Sequence, residues 1–135
     1  MGKYIDLQND LFSLFNGASW KAENIKTYPN NFVAVNSSNE FIRMTAIPNG
    51  EGLNLNSSSG ILNIEIFTSA GNGPKRASII ADKLDDYLVG KSLSTVQNNV
   101  TQFMNSAMDH LGPDEDNSAL HRSIYSIPFN HFGVL

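Results

Sequence analysis

Six consecutive residues, Gly71-Asn72-Gly73-Pro74-Lys75-Arg76, come nearest to a chemical signature in this chain. A glycine-bearing turn placed before a lysine and a helix is the pattern that wraps backbone amides around a phosphate. A P-loop also needs glycine directly before the lysine and a hydroxyl residue directly after it. Here Pro74 precedes Lys75 and removes an amide donor, and Arg76 stands where the hydroxyl belongs. The segment therefore reads as a strand-to-helix turn, and no nucleotide is expected on it.

The other reactive residue types are as sparsely arranged. His110, His121 and His131 lie far apart in sequence, with no pair one helical turn apart to aim two imidazoles at one metal. They read as surface or packing residues. The 13 Asp and Glu residues include no pair that the sequence draws into an apolar pocket, where one carboxyl could act as an acid. There is no GxSxG elbow. With no cysteine, disulfides, thiolate zinc sites and thiol nucleophiles are excluded together. The chain is expected to be no enzyme and to hold no cofactor or metal.

Composition narrows the remaining classes. The 135 residues suit one domain, 41% hydrophobic and 16% charged, with much of the polarity coming from Asn and Ser. A net charge of -4 and a pI near 5.2 leave no basic footprint for phosphates, so tight DNA binding is not expected. An acidic surface can still line a passage for DNA, because it repels the phosphates. The first residues lack the apolar run of a signal peptide, and no stretch reaches the roughly 20 apolar residues of a membrane span. Synthesis in a reducing cytoplasm without membrane insertion is the expectation.

The elements that must position any functional residue follow from periodicity. Residues 4–16 carry Ile5, Leu7, Leu11, Phe12, Leu14 and Phe15 at a spacing closer to a short amphipathic helix than to a strand, stopped at Asn16-Gly17, where both residues tolerate the left-handed conformation. Residues 20–31 show no clear period, and Phe32-Val33-Ala34-Val35 reads as a short strand. Two firmer strands lie at 41–47 and 61–68; in the second, Leu62, Ile64 and Ile66 alternate with Asn63 and Glu65. The stretch 48–60 between them, rich in Gly, Asn and Ser, reads as a projecting loop or flexible hairpin arm. Pro74 can open a helix in which Ala77, Ile80, Ala81, Leu84 and Leu88 recur, closed by Gly90. Residues 96–111 are ambiguous, 112–117 read as a plain loop, and a last strand falls at 120–129. One α+β domain spans 1–135.

Some residues sit where a free monomer has little use for them. Leu53 and Leu55 are embedded in the 48–60 arm, beside Glu51. Burying either leucine on a partner would gain roughly 1.5–3 kcal/mol. The end of the chain, with Phe129, Phe132 and Leu135, is apolar where termini are commonly polar. Both segments can instead fold onto their own core. Lys75 and Arg76 at the start of a helix, with Asp85 and Asp86 near its end, oppose the helix dipole by about 0.3–1 kcal/mol each. Opposite charges on a neighbouring subunit would relieve this, as would solvent screening.

Taken in order, the 41–47 strand, the long Gly/Asn/Ser loop, Ile61-Leu62-Asn63-Ile64-Glu65-Ile66-Phe67-Thr68, the Ala70-Gly71-Asn72-Gly73-Pro74 turn and the helix with Ala81-Asp82-Lys83-Leu84 resemble the tail terminator or tail completion proteins of long-tailed bacteriophages. Arg122-Ser123-Ile124-Tyr125-Ser126-Ile127-Pro128-Phe129 resembles the closing strand of that family. The resemblance implies a single mixed, mainly antiparallel β-sheet flanked by two or three helices. It also implies a homo-hexameric ring that caps the tail tube, ends polymerisation of the major tail tube protein and joins a head-completion or connector protein. DNA would pass through the ring without sequence-specific binding, and the protein would reside in the virion after assembly in the bacterial host cytoplasm. On this reading Glu51, Leu53, Leu55, Lys75, Arg76, Asp85, Asp86, Phe132 and Leu135 belong to subunit or tube contacts. Asp114, Glu115 and Asp116 would face the channel. A neck connector of the same particle is the nearest alternative. A small cytosolic enzyme would instead require a concave pocket with convergent titratable groups, and the acidic balance disfavours a DNA-binding module.

Overall fold

Helix α1 (Lys3–Phe15) buries Leu7, Leu11 and Phe15, as the periodicity requires. It stops at Asn16 and Gly17, but not in the left-handed conformation expected there. Gly17 is extended, with φ -69° and ψ 153°, and its N–H donates to the Leu14 carbonyl at 3.1 Å. The chain re-enters a single helical turn at once, α2 (Ala18–Lys21), which places Trp20 in the core. Four residues cannot display a period, so no periodicity marks this turn. The computed structural model describes residues 3–29, 40–52, 55, 57–69, 71, 73–94, 99–113 and 120–133, and the strand expected at 32–35 lies outside them.

The remaining elements are β1 (Thr27–Pro29), β2 (Phe41–Glu51), β3 (Ser58–Ser69), α3 (Gly73–Leu88), β4 (Ser92–Leu93), β5 (Val100–Phe103), β6 (Ala107–Pro113) and β7 (Leu120–Phe132). The expected 41–47 and 61–68 strands are the inner parts of β2 and β3. Both continue into the stretch read as a projecting loop or flexible hairpin arm, so residues 48–51 belong to β2 and residues 58–60 to β3. Their composition argued for a turn, but pairing to two partners overrides weak intrinsic preference. Ser58, Ser59 and Gly60 lie opposite His131, Asn130 and Phe129 of β7, and Ser58 and Ser59 also pair with Glu51 and Gly50 of β2. A register shift between Ile47 and Gly50 accommodates Pro48, which has no amide to give the ladder.

Gly60 is held at that irregularity by space. A Cβ on it would lie 1.9 Å from the Ile47 carbonyl oxygen and 2.9 Å from the Pro48 Cα, both rigid backbone atoms. Gly60→Ala is therefore expected to push β2 and β3 apart and cost about 1–3 kcal/mol, the range for forced overpacking. Urea unfolding followed by circular dichroism checks this, and an unchanged midpoint would show that the two strands can separate locally at no cost.

Helix α3 starts at the Gly73-Pro74 pair and ends where expected, with Gly90 at φ 70°. The ambiguous 96–111 stretch resolves into β5 and β6. Gly112 and Pro113, read as loop, belong to β6; Gly112 takes φ 94° at the register shift after His110, a conformation that glycine adopts without strain. Strand β7 extends past 129 to Phe132. The apolar end of the chain is thus partly internal structure: Phe129 is a fully buried core residue and Phe132 closes the strand half-buried.

The fold is mixed α+β, with a seven-stranded sheet and three helices among the described residues. Strand order is β1-β2-β3-β7-β5-β4. β6 pairs with the first part of β7 and β5 with its last part. β1 and β2 are parallel and every other pair is antiparallel. All three helices feed one core on one sheet face, where Leu7, Leu11, Trp20, Ile80 and Leu84 meet Leu62, Ile64, Tyr125 and Ile127. The other face carries a smaller cluster of Phe41, Phe67 and Leu120 at one end, with Ile47 and Ile61 partly exposed farther along.

Candidate functional site

The arm built by β2 and β3 has a fixed base and an apolar tip. At the base, the Ser59 hydroxyl donates to the Glu51 carbonyl at 3.0 Å, and the Gly133 N–H donates to Ser57 Oγ at 3.0 Å, which ties the arm to the end of β7. Glu51 is exposed at the end of β2. Leu55, in the turn, is 83% exposed. Its side chain gains almost nothing from the chain's own core, so the apolar gain estimated above is left for another surface. Leu53 lies outside the described residues.

The charges of α3 find partners inside the chain. Arg76, in the first turn, forks onto Glu40 with Nε 2.8 Å and Nη2 2.7 Å from the two carboxylate oxygens. That hydrogen-bonded guanidinium holds the Glu40 carboxyl below its usual range. Asp85 accepts from the buried Tyr125 hydroxyl at 2.7 Å and from Ser106 Oγ at 2.6 Å. Burial, and then the Asp85 carboxylate, push the Tyr125 hydroxyl well above its ordinary value. The counter-charge anticipated from a neighbouring subunit is thus supplied to Arg76 by Glu40, and Asp85 has hydroxyl donors of its own. Lys75 and Asp86 remain exposed at the two ends of the helix. Leu135, Asp114, Glu115 and Asp116 lie outside the described residues.

The predicted contact residues do not converge on one site. Glu51 and Leu55 mark the arm, with Phe132 of β7 beside its base, Lys75 and Arg76 one end of α3, and Asp85 and Asp86 the other. One further apolar surface escaped sequence reading. α1 turns two carboxylates inward, with Asp6 and Asp10 buried, and leaves Tyr4, Ile5 and Phe12 at 57%, 52% and 40% exposure. The alternation of polar and apolar residues along 4–16 was legible; which side faced the sheet was not.

Three polar groupings also escaped it, because each is made by strand register. Glu65 on β3 accepts from Arg43 of β2 at 2.8 Å and from Arg122 of β7 at 2.7 Å. Beneath α1, the Thr101 hydroxyl donates to Asp10 Oδ2 at 2.6 Å and lies 2.8 Å from His131 Nδ1, while Asn99 Nδ2 donates to Asp6 Oδ2 at 2.9 Å. Thr101 has one proton and gives it to the carboxylate, so Nδ1 of His131 must carry the hydrogen it shares with Thr101. His131 is fully buried, and burial moves its pKa below the ordinary value against the pull of Asp10 and Asp6. Asp6, Asp10, Thr101 and His131 are all buried, and the chemistry of the grouping is that of seating α1 on β5 and β7. Finally, β6 and β7 bring His110 and His121 together, with ring centres 5.6 Å apart. Among the described residues there is no group of three or more His, Asp or Glu that could hold a metal ion. No helix of the described chain is long and apolar enough to cross a membrane.

No family model matches the chain, and no curated protein matches it. A solved protein chain whose name states no activity shares its fold with a TM-score of 0.60, over 98% of this chain and 94% of that one, at 11% sequence identity.

Proposed function

We propose that this chain is the subunit of a homo-hexameric ring that caps the tail tube of a long-tailed bacteriophage, ends polymerisation of the major tail tube protein and joins the tail to a head-completion or connector protein. The observation that carries the reading is Leu55, 83% exposed at the turn of a paired and anchored arm. An apolar side chain held out on a fixed support suits insertion into a neighbour, and copies related head to tail around a closed axis repeat that insertion without forming an open filament. Tyr4, Ile5 and Phe12 on α1 supply a second apolar surface distinct from the arm, and a head-to-tail contact needs two different surfaces. The net charge of -4 suits a ring through which DNA passes without being gripped. On this reading the protein is non-enzymatic, takes no cofactor and resides in the virion neck after assembly in the host cytoplasm.

Deleting the gene from its parent phage and imaging the particles by electron microscopy tests this. The expected result is heads separated from tails, with tails of uncontrolled length. Joined tails of normal length would overturn the proposal. Tails of correct length that fail to join would move the protein to the neighbouring connector position.

A further inference from the structure

We infer that the arm of one copy inserts Leu55 into a recess between α1 and β2 of a second copy, so that the chain is its own partner through two different surfaces. The recess begins with one small residue. On the core face of β2, the buried Ile42 and Met44 are followed by Ala46, opposite Leu62 of β3. A methyl group at that position leaves a gap of about 100 Å³, lined by Gln8, Leu11 and Phe12 of α1 and by Met44, Ala46 and Leu62 of the sheet. Phe12 is exposed, and Gln8 and Ala46 are half-buried, so the gap opens at the surface instead of lying sealed in the core. Beside it, β1 covers only Ile42–Met44, and among the described residues no strand lies against the outer edge of β2 from Thr45 onward.

Size selects the occupant. An apolar cavity of about 150 Å³ takes the six carbons of benzene, about 25 Å³ each, so a recess of about 100 Å³ takes four, the number in a leucine side chain. Leu55 is the most exposed large apolar side chain among the described residues, and its turn projects it past the ends of β2 and β3. Leu111 is also exposed, but it lies within β6, a strand paired along β7, and nothing projects it. The hydrogen bonds from Ser59 to Glu51 and from Gly133 to Ser57 hold the base of the arm before any contact is made, so docking its tip costs little ordering. Within one chain Leu55 does not reach the recess, since it remains almost wholly exposed. A projecting side chain and a recess on a different surface join copies head to tail, the contact that closes into a ring. The choice of a second copy as occupant rests on the ring assignment proposed above, and it gives that ring a named donor and acceptor surface.

Sedimentation velocity of the purified full chain, over a concentration series reaching about 1 mM, tests the contact. Wild type should associate as its concentration rises, and Leu55→Ala should weaken association about 10–100-fold, the affinity equivalent of one buried leucine. Leu55→Asp should abolish it. Ala46→Leu fills the recess from within, so it should abolish association while raising the thermal midpoint, which separates loss of the contact from loss of the fold. Gln8→Trp closes the recess from the α1 side and serves where Ala46→Leu strains β2. Leu55→Asp mixed with Ala46→Leu should form a dimer and nothing larger, because the two variants keep one recess and one arm between them. A wild type that stays monomeric throughout, wild-type association in Leu55→Asp, or a mixture that stays monomeric beside an associating wild type overturns the contact. Normal joined tails after gene deletion, with self-association intact, would sink the tail assignment and keep this contact; detached tails of uncontrolled length with a monomeric chain would do the reverse.

Discussion

Trp20→Ala is expected to destabilise the protein by about 3–5 kcal/mol, the usual cost of deleting a buried aromatic side chain. Set against a total of about 5–15 kcal/mol for an ordinary domain, this removes about a fifth of its stability or more. Trp20 is 1% exposed and joins four elements. Its ring meets Phe15 of α1 and Tyr87 of α3 edge-on, each with centres 5.2 Å apart, and its Nε1–H donates to Thr27 Oγ1 of β1 at 2.9 Å. Tyr87 in turn donates its hydroxyl to the Ser19 carbonyl at 3.1 Å, so α3 holds the same turn from the other side. Truncation would leave a cavity bounded by three separate elements, which cannot collapse together. Trp20→Phe should cost less than half as much, since it keeps most of the apolar volume and Thr27 keeps its own bond to the Ile25 carbonyl. Because Trp20 is the sole tryptophan, urea unfolding must be followed by circular dichroism rather than fluorescence. A loss below about 1 kcal/mol for Trp20→Ala would mean that the turn can repack without it.

That residue also shows where sequence reading stops. α1, α3 and the inner parts of β2, β3 and β7 were legible because each repeats its apolar positions often enough to establish a period. α2 is a single turn, and its one important side chain lies in a stretch with no period at all. The strand at the two ends of the arm was illegible for a different reason. Residues 48–60 contain the Asn, Ser and Gly of a loop, and the information that makes their ends strand resides in β7, some seventy residues away in the chain. The charges on α3 read as locally unfavourable from the sequence, yet the pairing of Arg76 with Glu40 crosses 36 residues and only the fold reveals it. The same holds for His110 and His121. Eleven residues apart, they share no helical face, and they become neighbours through the pairing of β6 with β7. Local rules therefore recovered the elements, whereas the polar groupings depend on register, which a single sequence specifies only weakly outside its alternating segments.

Thr101→Val should cost roughly 2–5 kcal/mol while changing the side-chain shape little. The hydroxyl it removes donates to a buried carboxylate, a bond of about 1.5–3 kcal/mol, and its loss leaves the His131 Nδ1–H to be satisfied anew at about 1–3 kcal/mol. The same grouping makes stability depend on pH. His131 titrates lower in the fold than its ordinary 6.5, chiefly because burial disfavours the charged ring, with Asp10 and Asp6 of α1 opposing that effect and Thr101 of β5 offering a neutral partner. Below pH 6.5 the unfolded chain therefore binds a proton that the folded chain refuses. The stability associated with neutral His131 is full above that pH and is lost as pH falls towards the folded value, with a slope approaching about 1.4 kcal/mol per pH unit. His121 contributes in the same direction, more weakly because it is partly exposed. Urea midpoints at pH 7.5, 6.5 and 5.5 should fall for wild type and fall less for His131→Leu, the difference isolating His131 from His121. A wild-type midpoint that rises on acidification would mean that the ring charges within the fold, with attraction to Asp10 at 3.6 Å outweighing the cost of burying the cation.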